Sequence, residues 1–214
     1  MAVKGVRSMR GILIGLALAL AAPAASAQTQ QQHDWCYSPT ATDDQTIDGC
    51  TALIQSAQST STIKAAGYDN RGFAYENKGL YDQALADETQ ALALNPNDPY
   101  TYNNRGLAYD GKHLYDQAIA DFTRAIALKA DFAFAYNDRG LTYVHEGFYD
   151  RAIAEYTQAI AINPGFSIAY QNRGIAYERK GSRDQAVADY QASLKLDPSL
   201  NLAQTGLKRL GVTP

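Results

Sequence analysis

The chain is poor in the residue types that do most enzyme chemistry. Its 214 residues include two cysteines, Cys36 and Cys50, and three histidines, His33, His113 and His145. No two histidines stand at a spacing that would set both on one helix face, so no metal site is predicted. There is no Gly-rich phosphate loop and no Gly-x-Ser-x-Gly elbow. No catalytic set and no cofactor is therefore expected. The apolar run from Gly11 to Ala22 is twelve residues and ends at Pro23, shorter than the roughly 20 residues that span a bilayer. Excess basic charge is missing too, since 19 Lys and Arg stand against 22 Asp and Glu.

That apolar run has a definite context. Lys4, Arg7 and Arg10 precede it, and the small residues Ala25-Ser26-Ala27 follow. A basic segment, a short apolar core and a small-x-small cut site make residues 1–27 a predicted signal peptide, cleaved before Gln28. An uncleaved anchor is the rival reading. The mature chain is then exported, periplasmic or secreted, with no stable membrane anchor. Removing the three signal basics leaves 16 against 22 acidic side chains, a formal charge of −6, which argues against nucleic acid and anionic membrane partners. In an oxidising compartment two cysteines usually pair, and neither has a Cys-x-x-Cys neighbour or a histidine base. A structural Cys36–Cys50 disulfide is expected; closing a loop of about 15 residues stabilises by roughly 3 kcal/mol.

The rest of the chain repeats itself every 34 residues. Copies span 65–98, 99–132, 133–166 and 167–200. Tyr68, Tyr102, Tyr136 and Tyr170 fill one column; Gly72, Gly106, Gly140 and Gly174 a second; Tyr75, Tyr109, Tyr143 and Tyr177 a third. Ala84, Ala118, Ala152 and Ala186 recur in the second half of each copy. Pro96, Pro164 and Pro198 close three copies, with Ala130 at the equivalent place in the second. The spacing predicts two helices per copy, pivoting near Gly79, His113, Gly147 and Gly181. Small residues let the helices approach, tyrosine and leucine fill the flanks, and proline stops the second helix. One hairpin cannot bury its apolar face alone, so neighbours must stack.

An arginine stands at the edge of the packed face in every copy. Arg71, Arg105, Arg139 and Arg173 are each followed sixteen residues later by an acid: Asp87, Asp121, Glu155 and Asp189. In an antiparallel hairpin these positions face each other, so each copy is predicted to carry an ion pair between its helices. A basic stripe for an anionic ligand is the alternative, weakened by the partner at constant offset. All tyrosines but Tyr37 and Tyr100 lie in repeat columns, so core filling accounts for them without a stacking ligand.

These columns resemble the tetratricopeptide repeat family over residues 65–200. The resemblance implies an all-α, right-handed superhelical α-solenoid of helix-turn-helix repeats. Residues 28–64 are expected to hold a degenerate half-repeat, with residues 43–56 as its second helix and Cys36 on a strand-like or coil segment; residues 28–33, rich in glutamine, are expected to be disordered. Residues 201–214 are expected to form a capping helix.

In that family first helices line a concave groove. One helix face here carries Ala66, Asp69, Phe73 and Glu76, then Tyr100, Asn103, Leu107 and Asp110. It continues with Phe134, Asn137, Leu141 and Val144, then Ile168, Gln171, Ile175 and Glu178. Beside it run Asn70, Asn104, Asp138 and Asn172. In some family members such an asparagine ladder binds an extended peptide backbone; in the alternative reading it bonds its own neighbours. Members that clamp a terminal carboxylate use groove Lys and Arg, where this face has little beyond Arg179. The resemblance implies a non-enzymatic protein- or peptide-binding scaffold of the cell envelope. The alternative is an adaptor that brings an envelope protease or cell-wall enzyme to its substrate. An enzyme is the third class, with no acid/base or nucleophile set to support it.

Overall fold

Local signals account for most helix boundaries in the computed structural model, which describes residues 24–213. Those residues form helices α1 Ala24–Tyr37, α2 Asp43–Gln55, α3 Ser61–Asn77, α4 Tyr81–Leu94, α5 Pro99–Gly111 and α6 Tyr115–Leu128. There follow α7 Ala133–His145, α8 Tyr149–Ile162, α9 Ser167–Lys180, α10 Arg183–Leu196 and α11 Asn201–Arg209, with no strand among the described residues. Thr42 caps α2 in a reciprocal box with Gln45, and Thr60 caps α3. Asp98 caps α5, with Pro99 pre-set at the first helical position. The second helices α4, α6, α8 and α10 begin without a side-chain cap but carry Asp82, Asp116, Asp150 and Asp184 in the first turn, where the helix dipole favours an anion. The pivots Gly79, Gly147 and Gly181 have φ between 72° and 84°, and His113 takes the same left-handed turn at φ 61°.

The described residues fall into two compact units, one ending at His113 and one beginning at Leu114. In the first, α1 to α5 each pack on their sequence neighbours, and α3 also touches α5. In the second, α6 to α11 do the same, with α7 also on α9 and α9 on α11. The helix pairs are those of the expected all-helical solenoid class. Within each hairpin a small residue admits a large one. A Cβ on Gly140 would lie 2.8 Å from the Tyr156 ring, and one on Gly174 2.9 Å from Tyr190. Tyr156 and Tyr190 are fully buried, as are Ala152 and Ala186. Burying one large apolar side chain contributes roughly 1.5–3 kcal/mol by transfer.

The N-terminal end departs from expectation. Residues 1–23 of the expected signal segment lie outside the described residues. The stretch 28–33 is helical rather than disordered, and Cys36 sits on the same helix α1 rather than on coil or strand. With α1 packed on α2 the segment is a whole hairpin, not half of one. Gly49 on α2 is the reason: a Cβ there would meet the Gln32 carbonyl at 2.3 Å, so only glycine lets the α1 backbone so close. The Cys36–Cys50 disulfide (S–S 2.06 Å) pins the two helices, and both cysteines are buried. No helix of the described residues is long and apolar enough to cross a membrane.

Candidate peptide-binding surface

Arg71, Arg139 and Arg173 are occupied inside their hairpins. Arg71 donates from Nε and Nη2 to the two oxygens of Asp87 at 2.7 and 2.9 Å, and Arg173 grips Asp189 in the same fork at 2.7 and 2.8 Å. Arg139 reaches both Glu155 oxygens through Nη2 alone, at 2.9 and 2.8 Å, leaving its buried Nε without a partner. Nη1 of these arginines donates to Thr51, Thr123 and Thr157 of the preceding hairpin's second helix, at 2.8, 2.9 and 3.1 Å. Each ion pair thus also links one hairpin to the next. Sequence reasoning missed these threonines, although Thr123 and Thr157 stand 34 residues apart. The guanidiniums of Arg71, Arg105, Arg139 and Arg173 lie 5.5–5.7 Å from the rings of Tyr68, Tyr102, Tyr136 and Tyr170. Hydrogen bonding to Asp87 and Asp189 holds Arg71 and Arg173 above the usual arginine range. Asp121 is buried on α6.

The amide column is spent on the stack. Asn70 Nδ2 donates to the Cys36 carbonyl at 3.0 Å, Asn104 Nδ2 to Asp69 Oδ1 at 3.2 Å, and Asn172 Nδ2 to Asn137 Oδ1 at 3.0 Å. Each bond joins a first helix to the one before it. Asp69, Asn103, Asn104, Asn137, Gln171 and Asn172 are all buried. The ladder therefore follows the neighbour-bonding alternative. The expected placement of acidic Asp69 and of the amides of Asn103, Asn104, Asn137, Gln171 and Asn172 on an open groove is corrected by their burial.

What stays accessible is an apolar strip in each unit. In the first, half-buried Phe73 on α3 and Tyr100 and Leu107 on α5 stand beside Glu76 and Asp110. In the second, Phe134 on α7 is 39% exposed, its ring 4.9 Å from that of Phe166, and Leu141, Val144 and Ile168 are half-buried nearby on α7 and α9. The acidic edge expected at Glu178 is neutralised. Arg209 of α11 forks onto it at 2.6 and 2.8 Å, and the Tyr190 hydroxyl donates to it at 2.7 Å. Arg209 above all holds the Glu178 carboxyl below its usual range, while burial and the same carboxylate push Tyr190 up. Ile175 packs against the cluster of Tyr190, Ala203 and Leu207, so α11 closes this end of the strip. Among the described residues no three His, Cys, Asp or Glu side chains converge as metal ligands.

Comparison with known proteins accords with this construction. The pattern described as "Tetratricopeptide repeat" matches residues 65–98, 99–132 and 167–200, and "TPR repeat" matches 140–181. The crystal structure of MamA is 31% identical, with 73% of this chain and 89% of that one covered at a TM-score of 0.61. TTC0263, a thermophilic TPR protein of Thermus thermophilus, is similar in fold at 22% identity, 79% and 91% coverage and a TM-score of 0.67. The second TPR domain of human RPAP3, in complex with the HSP70 peptide SGPTIEEVD, is 28% identical, covering 53% and 98% at a TM-score of 0.50. No curated protein matches the chain in sequence.

Proposed function

The chain belongs to the tetratricopeptide repeat family, and on that premise we propose that it is a non-enzymatic, exported scaffold that holds a peptide segment of a partner protein against its first helices. The observation that carries this reading is the accessible strip of Phe73, Tyr100 and Leu107 in one unit and Phe134, Leu141 and Ile168 in the other. Such half-buried apolar surface, flanked by a few polar groups, is what a peptide's side-chain anchors need. Charge narrows the ligand. The second RPAP3 domain is in complex with the acidic peptide SGPTIEEVD. Here the chain has a formal net charge of −3, and Arg71, Arg139 and Arg173 are committed to carboxylates within the hairpins. A neutral or basic segment with apolar anchors fits; an acidic tail does not. Export rests on the signal-like residues 1–27, and a buried disulfide suits an oxidising compartment.

A second reading, the adaptor, is favoured by Leu80, Leu114 and Phe148. These occupy the position just before α4, α6 and α8 and are 36–48% exposed, which supplies apolar surface at those helix starts in each unit. One experiment separates the readings. A photoreactive residue at Leu107 or Leu141 crosslinks the partner in living cells, and Leu107→Arg with Leu141→Arg abolishes capture while circular dichroism stays unchanged. Capture that survives the double change, and is lost on Leu80→Arg in the first unit or Phe148→Arg in the second, favours the adaptor reading.

A further inference from the structure

One column of the repeat breaks its own rule. The place filled by Tyr156 in α8 and Tyr190 in α10, each against a first-helix glycine, is filled in α4 by Glu88 against Gly72. A Cβ on Gly72 would lie 2.4 Å from Glu88 Oε1, so the carboxyl is pressed on the α3 backbone. Glu88 is completely buried, and neither oxygen meets a hydrogen-bond donor. The charged groups that act on it most strongly are carboxylates. From α3 come Asp69 and Arg71, but Arg71 forks onto Asp87 of α4 itself; from α5 comes Asp98, which caps that helix. Asp69, Asp87 and Asp98 are all buried too. Two adjacent carboxylates without a donor between them repel, whereas one proton makes a donor and removes a charge.

We propose that Glu88 and Asp69 share a single proton inside the first repeat, and that this proton is a latch. With it present, α4 seats on α3 and α5; as rising pH removes it, that hairpin loosens while the second unit stays closed. Geometry supplies the pair: a buried carboxyl with no donor, Asp69 beside it, and Asn104 donating to Asp69 Oδ1 at 3.2 Å to hold that group in place. Burial first, then the Asp69 charge, raises Glu88 well above the ordinary glutamate range. The sign follows from linkage. A carboxyl whose folded value lies above its unfolded value contributes stability fully below the unfolded value, about 4.3, and loses it as pH rises through the folded value.

Amide hydrogen exchange on the intact mature protein between pH 5 and 8 tests the latch, with protection corrected for intrinsic exchange. Relative to Glu88→Gln, protection of α3 and α4 in the natural chain should fall about tenfold per pH unit until the folded value is passed. Protection of α8 and α9 should show no such difference. Glu88→Phe, which restores an aromatic as at Phe122, should likewise lose the pH slope and serves if the glutamine variant folds poorly. Equal slopes in the natural chain and either variant would overturn the latch. So would a carbon-13 titration showing that the Glu88 carboxyl ionises in the ordinary glutamate range.

Discussion

Arg173 illustrates what one side chain does in this protein. Its guanidinium lies over Tyr170, forks onto Asp189 and reaches Thr157, so a single residue ties two hairpins through a charge, an aromatic face and a hydroxyl. Asp189 has a side-chain exposure of 8%, and removing its cation leaves a nearly buried anion. Arg173→Leu should therefore cost about 2–3 kcal/mol, between the small value of an exposed pair and the larger one of a fully buried pair. Arg173→Leu combined with Asp189→Leu should recover most of that loss in denaturant unfolding. A double variant no more stable than the sum of its singles would show that the two residues are uncoupled. The constant offset of sixteen made this pair legible in the sequence. The threonine was not, because its bond crosses to the preceding hairpin.

At the scale of elements the two ends behave differently from the middle. Helix α11 is held by Gly206 and Leu207 on Tyr190 and by the Arg209–Glu178 fork. Because the folded Glu178 value is depressed, its contribution is present above the ordinary carboxylate value and is lost as pH falls through the folded one. Exchange of α11 amides should therefore accelerate in acid, and Arg209→Ala should remove that acid sensitivity without touching α7 or α8. At the other end, α1 depends on the disulfide and on the close approach at Gly49. Cys50→Ser should cost roughly 3 kcal/mol on the chain-entropy scale and free α1 from α2, with α7 to α10 still helical by exchange. Unchanged α1 protection in that variant would show that packing alone holds it. Sequence reading missed α1 because its glutamine-rich stretch carries no apolar periodicity, and only Trp35, Cys36 and Tyr37 interrupt the polar run. Its helicity comes from having a neighbour.

On the whole-molecule scale the testable property is the charge of the ligand. A basic peptide with apolar anchors should bind more weakly as salt rises, by screening of the chain's net negative charge, while an acidic peptide of equal hydrophobicity should bind less well at every ionic strength. Isothermal calorimetry with the two peptides decides it; tighter binding of the acidic one would refute the proposed ligand class. The helical pairing was determined by sequence alone, because Tyr68, Gly72, Tyr75 and Ala84 recur in register and identical local patterns fold identically wherever they stand. So was the partner of Arg71 or Arg173, which lies within its own hairpin. Tertiary structure alone decided which polar side chains are free. Asn104 and Asn172 are consumed by the helix before them, Glu178 is claimed by a cap helix 31 residues away, and Glu88 becomes a buried acid because Gly72 and Asp69 close over it. The physical reason is that a side chain's type sets what it can bond, whereas its solvation and its partners belong to the stack, which one repeat does not contain.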